Sequence, residues 1–163
     1  MATSKVQFVE YEDRHKNALC EMIFHLYTED PEGEPMDAAK IEATIDQAKH
    51  FHDRLRIYIL ESGGVPAGYG IVQLLWSNEW GGLTANIDEM YVAASHRGKG
   101  LATDFIRHLH ELIPGVNRIT LEVTPSNDKG MKFYASLGFT QAENRFMEMH
   151  YGTTGDTLKE MAK

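Results

Sequence analysis

The sequence predicts a mixed fold of class α/β (α+β), in which a central β-sheet of about six to seven strands is flanked by about four helices. Short segments alternate apolar and polar residues, longer segments repeat apolar residues at helical spacing, and the two kinds interleave along the chain. At 163 residues the chain lies near the usual size of one domain. We therefore expect a single domain over residues 1–163, whose tail at 152–163 is either disordered or a short additional helix.

The first third of the chain predicts one strand and two helices. Val6 and Phe8 indicate the strand. A helix that ends before Thr28 follows, and its apolar residues at helical spacing are Leu19, Met22, Ile23, Leu26 and Tyr27. Two prolines and a glycine after Thr28 prevent its continuation. A second helix is expected with Asp37 as its N-cap, and its inner face carries Ile41, Ile45 and Ala48.

A hairpin and two final strands are predicted on either side of the central segment. Alternation over residues 55–59, turn residues at 62–66 and a strand from 67 to about 75 indicate the hairpin. Near the C-terminus, the segments 139–142 and 145–150 are expected to complete the sheet as two further strands.

The central segment predicts a strand–helix–strand unit. A strand through residues 88–92 is followed by a helix from about Lys99 to Leu112, which Pro114 and Gly115 end. The next strand carries Ile119, Leu121 and Val123 in alternation with polar residues. Because a helix connects these two strands, they must lie parallel to each other.

The turn between this strand and its helix predicts a phosphate site. Helix N-termini expose unpaired N–H groups at the positive end of the helix dipole, and Gly98 and Gly100 allow an anion to approach the backbone closely. Arg97 and Lys99 add positive charge. The turn does not match a P-loop, since Gly100 follows Lys99, and Thr103 stands where a dinucleotide motif has its third glycine.

Two motifs resemble signatures of the GNAT superfamily of acetyl-CoA-dependent N-acetyltransferases. Arg97-x-x-Gly100-x-Ala102 resembles its pyrophosphate-binding motif. Residues 127–139, with Asn127, a short helix bearing Tyr134 and a Leu-Gly-Phe exit, resemble its second signature. The pair covers roughly the central third of the chain. The resemblance implies a GNAT-like sheet whose two parallel strands splay apart to hold acetyl-CoA.

The resemblance also implies which residues bind this cofactor. The main chain of Met90, Tyr91 and Val92 pairs with the pantetheine arm, and an N–H near Val92 polarises the thioester oxygen. The diphosphate lies against the turn, whose residues are Arg97, Gly98, Lys99, Gly100, Leu101, Ala102 and Thr103. Asn127 bonds the pantetheine and caps the following helix. Apart from the resemblance, the positive charge of Lys129 makes it a candidate to reach a cofactor phosphate. Ordinary strand residues, simple capping and a solvated lysine are the alternatives that remain open.

Proton transfer sets the demand for a catalytic base. An alkyl amine with a pKa of about 10.4 is neutral in only about one molecule in 2,500 at pH 7, so its deprotonation costs about 4.6 kcal/mol. A thiol with a pKa of about 8.5 needs only about 2 kcal/mol to leave as a thiolate. Removing the proton of the amine is therefore the larger task. Asp88 and Glu89 are the candidate bases. They point to opposite faces of an ordinary strand, although a bulge can change which one faces the acceptor. We favour Glu89, whose alternative role is a solvated or ion-paired strand acid.

Tyr134 is the candidate general acid. The resemblance implies that this tyrosine donates a proton to the departing sulfur, and a phenol of pKa about 10 is protonated at pH 7. Packing of a partly buried aromatic ring is the alternative.

Composition excludes several other functions. The formal charge of −8 argues against nucleic-acid and anionic-membrane binding. No apolar run of about 18 residues exists and no hydrophobic signal region follows the first residues, so we expect a cytoplasmic protein. The histidine pairs at 50 and 52 and at 108 and 110 lack further ligands, and no metal is expected. Cys20 falls on the apolar stripe of its helix and is interpreted as a core thiol.

The acceptor is expected to be a small amine, and a homodimer is a further expectation from analogy. Family analogy places around the acceptor the acids Glu29, Asp30, Glu32, Glu34 and Asp37 and the tryptophans Trp76 and Trp80. Acids and aromatic rings suit a cation such as a polyamine, an aminoglycoside or a lysine-like group. A solvated acidic loop above packed tryptophans is the alternative. A non-catalytic CoA-binding domain, a protein acetyltransferase and an unrelated nucleotide-binding module remain alternatives for the whole chain.

Overall fold

The computed structural model describes residues 5–31 and 33–149. The chain divides into two compact units, Met1–Asn127 and Asp128–Lys163, and each is described by itself. The expectations for His150 and for the tail at 152–163 lie outside the described residues.

The first unit is a five-stranded mixed sheet with three helices. Its elements are β1 (Val6–Glu10), α1 (Lys16–Glu29), α2 (Ala38–His50), β2 (Leu55–Ser62), β3 (Val65–Ser77), β4 (Gly82–Val92), α3 (Leu101–Leu112) and β5 (Val116–Leu121). The strand order is β1-β2-β3-β4-β5, antiparallel except for the β4–β5 pair. The predicted parallel crossover through α3 is confirmed. The predicted cap of α2 is confirmed too, because the Asp37 side chain accepts the Lys40 N–H.

The second unit contains α4 (Asp128–Ser136) and the segment that follows it. The prediction of two final strands is wrong for residues 139–149, none of which is assigned to a strand. A bend at Glu143 and Asn144 separates the two predicted segments, but neither segment forms a strand within the described residues. The apolar side chains of Phe146 and Met147 are 75% and 90% exposed, so they supply no buried face to such a strand. The described sheet therefore has five strands rather than six or seven.

Helices pack on both faces of the first unit's sheet. One face carries a core formed with α1 and α2, whose buried members are Leu19, Met22, Ile23, Ile41, Ile45, Ile57, Ile59, Tyr69, Ile71 and Tyr91. The partly buried Cys20 packs against this core, as its interpretation as a core thiol requires. The opposite face receives α3 through Phe105, which is fully buried. Gly70 of β3 makes room for this ring, since a Cβ there would lie 2.4 Å from Phe105 Cε1.

The parallel strands β4 and β5 separate at their carboxyl ends. Their pairing runs from Leu83 opposite Val116 to Ile87 opposite Leu121, but β4 continues to Val92 beside β3 alone. The first unit therefore has the fork between parallel strands that the resemblance implied.

A β-bulge lies at the point of separation. Ile71 of β3 pairs with Glu89, while the next residue, Val72, pairs with Ile87. Asp88 is thus one extra residue in β4. Since neighbouring residues of β3 face opposite sides, Ile87 and Glu89 also face opposite sides although they are two positions apart. The bulge turns Glu89 toward α1 and the core that contains Ile71.

Candidate active site

The glycine-rich turn leaves the first amides of α3 free for an anion. Gly98 and Gly100 have φ values of +72° and +85°, a left-handed conformation that other residues adopt at a cost. The Gly100 carbonyl accepts the Asp104 N–H at 2.8 Å, which closes the first helical turn. The N–H groups of Leu101, Ala102 and Thr103 precede that bond and have no acceptor within the helix. A helix N-terminus with unpaired amides of this kind has the features that bind anions in proteins.

Two cations of the turn are occupied by other groups. Arg97 donates through Nε to the Val92 carbonyl at 2.8 Å and through a terminal nitrogen to Glu29 Oε2 at 2.6 Å. Its guanidinium also lies 5.3 Å from the centre of the Tyr91 ring. Lys99 donates to the Ser95 carbonyl at 2.9 Å. The main-chain amides are therefore the groups of this turn most directly available to a phosphate.

The edge of β4 beyond the fork offers main-chain groups that lack a partner in β5. Met90, Tyr91 and Val92 all follow Ile87, the last residue of β4 paired with β5. The Tyr91 side chain is buried and packs on Tyr69, with ring centres 6.2 Å apart. The Val92 carbonyl is the group that Arg97 occupies. The Tyr91 side chain thus serves packing, so at this position the backbone is the group available to a ligand.

Glu89 is held by two phenols. Tyr27 of α1 donates to its Oε1 at 2.6 Å, and Tyr69 of β3 donates to its Oε2 at 2.9 Å. Burial raises the pKa of Glu89 and the Asp88 charge adds to that rise, while the two phenolic hydrogen bonds oppose it. Burial and the neighbouring carboxylate raise the pKa of both tyrosines far above their ordinary value. Both phenols therefore remain hydrogen-bond donors at neutral pH.

Asp88 differs from its neighbour Glu89 in having no hydrogen-bond or ion-pair partner among the described residues. Its side chain is exposed, and its carboxylate makes no hydrogen bond or ion pair with another residue of the described chain. Nearby protein atoms still remove part of its hydration, and this desolvation, together with the Glu122 carboxylate, raises the pKa of Asp88. Glu122 directly follows the end of β5 at Leu121, so these two acids flank the fork.

The second unit carries Tyr134 and Lys129 on α4. The Tyr134 ring is partly buried, and its centre lies 5.7 Å from that of Phe139, at a steep angle to it. Burial raises the pKa of this phenol, which is protonated at neutral pH. Lys129 is exposed in the first turn of α4. Asn127, the last residue of the first unit, donates its N–H to the Thr124 carbonyl at 2.9 Å and stands directly before α4, where a cap is expected.

The tryptophans predicted to frame the acceptor lie far from the acids of the fork within the first unit. Trp76 and Trp80 are 70% and 56% exposed, so the alternative of packed tryptophans is wrong. Trp76 lies near the end of β3 and Trp80 lies in the turn before β4, and the seven residues from Gly82 to Asp88 span roughly 20 Å. The Arg118 guanidinium already lies over the Trp80 ring at 5.3 Å.

The predicted acids are placed separately by the structure. Glu29 is paired with Arg97, and Asp37 caps α2. Glu32 lies outside the described residues.

Tyr27 and Tyr69, which hold Glu89, were missed as site residues, because an apolar stripe and a strand pattern gave no sign of their hydroxyl groups. No group of three or more histidine, cysteine or acidic residues within the described chain could hold a metal ion, and none of its helices is long and apolar enough to cross a membrane.

Known proteins share both the sequence and the fold. A model of the acetyltransferase (GNAT) family matches residues 20–139. The chain is 26% identical over 102 residues to thialysine N-epsilon-acetyltransferase of Mus musculus, which covers 61% of this chain and 59% of that protein. It is 34% identical over 92 residues to aminoglycoside N(6')-acetyltransferase type 1 of Klebsiella pneumoniae, covering 50% and 46%. The chain thus spans about half the length of these relatives.

Solved structures confirm the fold class. A possible acetyltransferase from Clostridium difficile 630 superposes with a TM-score of 0.77 at 16% identity, over 89% of this chain and 97% of that one. Aminoglycoside N-acetyltransferase AAC(6')-Iy in complex with CoA gives 0.69 at 19% identity, over 90% and 95%. The family match covers most of the chain and agrees with the motifs around Gly100 and Tyr134. The chain belongs to the acetyltransferase (GNAT) family, a family of enzymes that use acetyl-CoA as the acyl donor.

Proposed function

We propose that this protein transfers the acetyl group of acetyl-CoA to the primary amine of a small acceptor. The amine attacks the thioester carbonyl directly, a tetrahedral intermediate forms, and CoA leaves without a covalent enzyme intermediate. The observation that carries this proposal is the position of Asp88 and Glu89 at the fork, nine and eight residues before the glycine-rich turn begins at Arg97, on the same strand–turn–helix unit. A base beside a thioester site is what acetyl transfer to an amine requires.

The cofactor is held mainly by the backbone in this proposal. The free amides of Leu101, Ala102 and Thr103 bind the diphosphate, and Gly98 and Gly100 let it approach. The edge from Met90 to Val92 pairs with the pantetheine arm. An N–H near Val92 stabilises the oxyanion that develops on the thioester oxygen. The side chains of Arg97, Lys99, Asn127 and Lys129 contribute secondary contacts.

Asp88 takes the proton from the acceptor amine, directly or through a water molecule. The sequence favoured Glu89 for this role, but the contacts of the two acids favour Asp88. A proton on Glu89 would displace a hydrogen bond from Tyr27 or Tyr69, whereas the Asp88 carboxylate has no such bond to lose. Glu89 then supplies a fixed negative charge that attracts the ammonium form of the acceptor. Tyr134 donates a proton to the departing sulfur.

The acceptor is a small amine that carries positive charge. Two observations support this: the acids at the fork, and relatives named for aminoglycosides and for thialysine, both of which are amines. The partly buried Asp30 and the exposed Glu34 add negative potential near the end of α1 and the start of α2. The tryptophans at the far end of β4 play no part in it within one chain.

An assay of thiol release tests the proposal. Purified protein with acetyl-CoA is given a panel of amines of matched size that differ in charge, and thiol is measured with a chromogenic disulfide. We expect acetyl-CoA to raise the melting temperature and cationic amines to accelerate thiol release. A melting shift with no transfer to any amine or peptide would instead indicate a CoA sensor. Stabilisation by nucleotides but not by CoA would indicate a nucleotide-binding module.

A further inference from the structure

Three polar side chains form a hydrogen-bonded row across the middle of the sheet. Thr120 of β5 donates through its hydroxyl to Asn86 Oδ1 at 2.9 Å, and Asn86 of β4 donates through Nδ2 to Gln73 Oε1 of β3 at 3.1 Å. All three are partly buried. We name these residues the polar row. A sheet face normally carries apolar side chains where a helix covers it, so this row marks a part of the face with another use.

The polar row faces the same side of the sheet as Glu89. Gln73 is two residues from Ile71 on β3, and residues two apart share a face. Ile71 pairs with Glu89, and Gln73 pairs with Asn86. The bulge at Asp88 keeps Asn86 and Glu89 on one side although they are three positions apart. The polar row is therefore the next row of side chains on this face after the one that holds the Glu89 carboxylate.

The polar row keeps unused hydrogen-bonding capacity. The Gln73 amide has two N–H groups and the Asn86 amide has one that make no bond within the described chain. The Thr120 oxygen still has lone pairs to accept a bond. Next to it, the Ile71 row is buried under the core with α1 and α2, whereas the polar row is open to solvent in part. Free donors and acceptors beside a fixed carboxylate suit a ligand that carries both an amine and hydroxyl groups.

We infer that the polar row binds the body of the acceptor and selects amines that bear hydroxyl groups close to the reacting nitrogen, as an amino sugar does. This inference rests on the proposed function. An alkyl polyamine would cover these amide groups with methylenes and leave them without partners, which is unfavourable. A ring hydroxyl on the second or third carbon atom from the nitrogen can bond them while the nitrogen stays beside Asp88 and Glu89. The polar row thus acts as a specificity determinant and takes no part in the chemical step.

A matched pair of acceptors tests the inference. One is a methyl glucopyranoside whose exocyclic hydroxyl is replaced by a primary amine, and the other is cyclohexylmethylamine, which has the same ring size and no hydroxyls. The ratio of kcat/KM for the two amines is measured for the wild type, Thr120→Val and Asn86→Leu. Comparing ratios between proteins cancels the difference in amine pKa. Thr44→Val on α2 is the control, since its exposed hydroxyl bonds only the Lys40 carbonyl, and Thr120→Ser restores the hydroxyl.

We expect the wild type to favour the amino sugar, and each polar-row variant to lower that preference about tenfold, the effect of losing one or two hydrogen bonds. The KM for acetyl-CoA stays unchanged, Thr44→Val behaves as wild type and Thr120→Ser recovers most of the preference. Should Asn86→Leu fail to fold, the near-isosteric Thr120→Val pair still decides. A ratio that is unchanged in Thr120→Val, or a wild type that acetylates other amines but not the amino sugar, overturns the inference alone. No transfer to any amine overturns the proposed function as well.

Discussion

The glycine-rich turn at residues 97–103 and the fork between β4 and β5, where Asp88 and Glu89 lie, are a few residues apart in the sequence. They are nevertheless built in different ways. In the turn at residues 97–103, the groups that we propose to bind phosphate belong to the main chain, while Arg97 and Lys99 are engaged with neighbouring atoms. At the fork, the groups that matter are side chains brought from α1, β3 and β4 around Glu89. One region depends on backbone conformation, and the other depends on the packing of distant residues.

This contrast predicts which substitutions each region tolerates. The turn should tolerate changes of exposed side chains but not of the glycines that set its left-handed conformation. The fork should tolerate little change in charge, because its two neighbouring acids have different roles. Glu89 is fixed by two phenols, whereas the carboxylate of Asp88 makes no hydrogen bond within the described chain. Substitutions that separate backbone effects from charge effects therefore test the contrast directly.

The largest effect is expected for Asp88→Asn. The amide has nearly the shape of the carboxylate but cannot accept the proton of the amine, so kcat should fall about 100- to 1,000-fold. The rise of kcat with pH should also disappear. Calorimetric titration should give an unchanged Kd for acetyl-CoA, since the turn is untouched.

Glu89→Gln is the matched control for this prediction. It removes the neighbouring charge while the side chain keeps an oxygen that can accept a bond from Tyr27 or Tyr69. We expect a smaller loss, about tenfold, that appears mainly in the KM of the acceptor. A larger fall in kcat for Glu89→Gln than for Asp88→Asn would reverse the assignment of the two acids.

Tyr134→Phe should have the next largest effect. Without a proton from Tyr134, the sulfur must leave as a thiolate. At pH 7 the thiolate lies about 2 kcal/mol above the thiol, so kcat should fall by up to about 30-fold. The KM for acetyl-CoA should change little, as measured by steady-state kinetics. Met131→Leu on the same helix, where the side chain is exposed, is the control, and equal turnover of Tyr134→Phe and wild type would remove the acid role.

The sequence predicted the conformation of the turn better than the side-chain contacts of the fork, and the reason is physical. Gly98, Gly100 and the start of α3 are local features, because their conformation depends on adjacent residues. The pairing of Glu89 with Tyr27 and Tyr69 depends on contacts between residues 62 and 20 positions apart. The bulge at Asp88 depends likewise on the register of β3, which alternation alone does not encode. The two strands predicted at 139–142 and 145–150 are wrong within the described residues, where the exposed Phe146 and Met147 offer no buried face.

Gly100→Ala should have a moderate effect on the cofactor. An added Cβ would lie 3.7 Å from Asp104 Oδ2, an ordinary contact, so the change acts through the φ of +85° rather than through a clash. A left-handed alanine costs about 1–2 kcal/mol. The turn relieves this strain by moving its amides, and the Kd for acetyl-CoA should rise about tenfold.

Gly64→Ala separates strain from binding. Gly64 has a φ of +80° in the turn between β2 and β3, and nothing lies within 4 Å of its added Cβ. Gly64→Ala and Gly100→Ala should lose a similar free energy of unfolding in urea denaturation. Only Gly100→Ala should weaken the binding of acetyl-CoA. Equal cofactor affinity in the two variants would mean that the turn amides do not bind the diphosphate.

The smallest effect concerns stability and pH. The pKa of Asp88 is raised in the folded chain, so its contribution to stability is fully present below the ordinary carboxyl pKa and is lost as pH rises through the folded value. Asp88→Asn cannot ionise, so its melting temperature relative to wild type should rise between about pH 4 and pH 7. Because Asp88 is exposed, we expect a gain of only about 1–2 °C at pH 7.

Asp53→Asn supplies the comparison for this measurement, because it removes one exposed negative charge away from the fork and corrects for the general repulsion in a chain of formal charge −8. A gain confined to Asp88→Asn would mean that the fork holds an ionised acid at the expense of stability. Such a trade is expected where a carboxylate must accept a proton from a substrate. If both variants gain equally, Asp88 is an ordinary surface acid, and the base must be sought at Glu89, where two phenols already restrict the carboxylate.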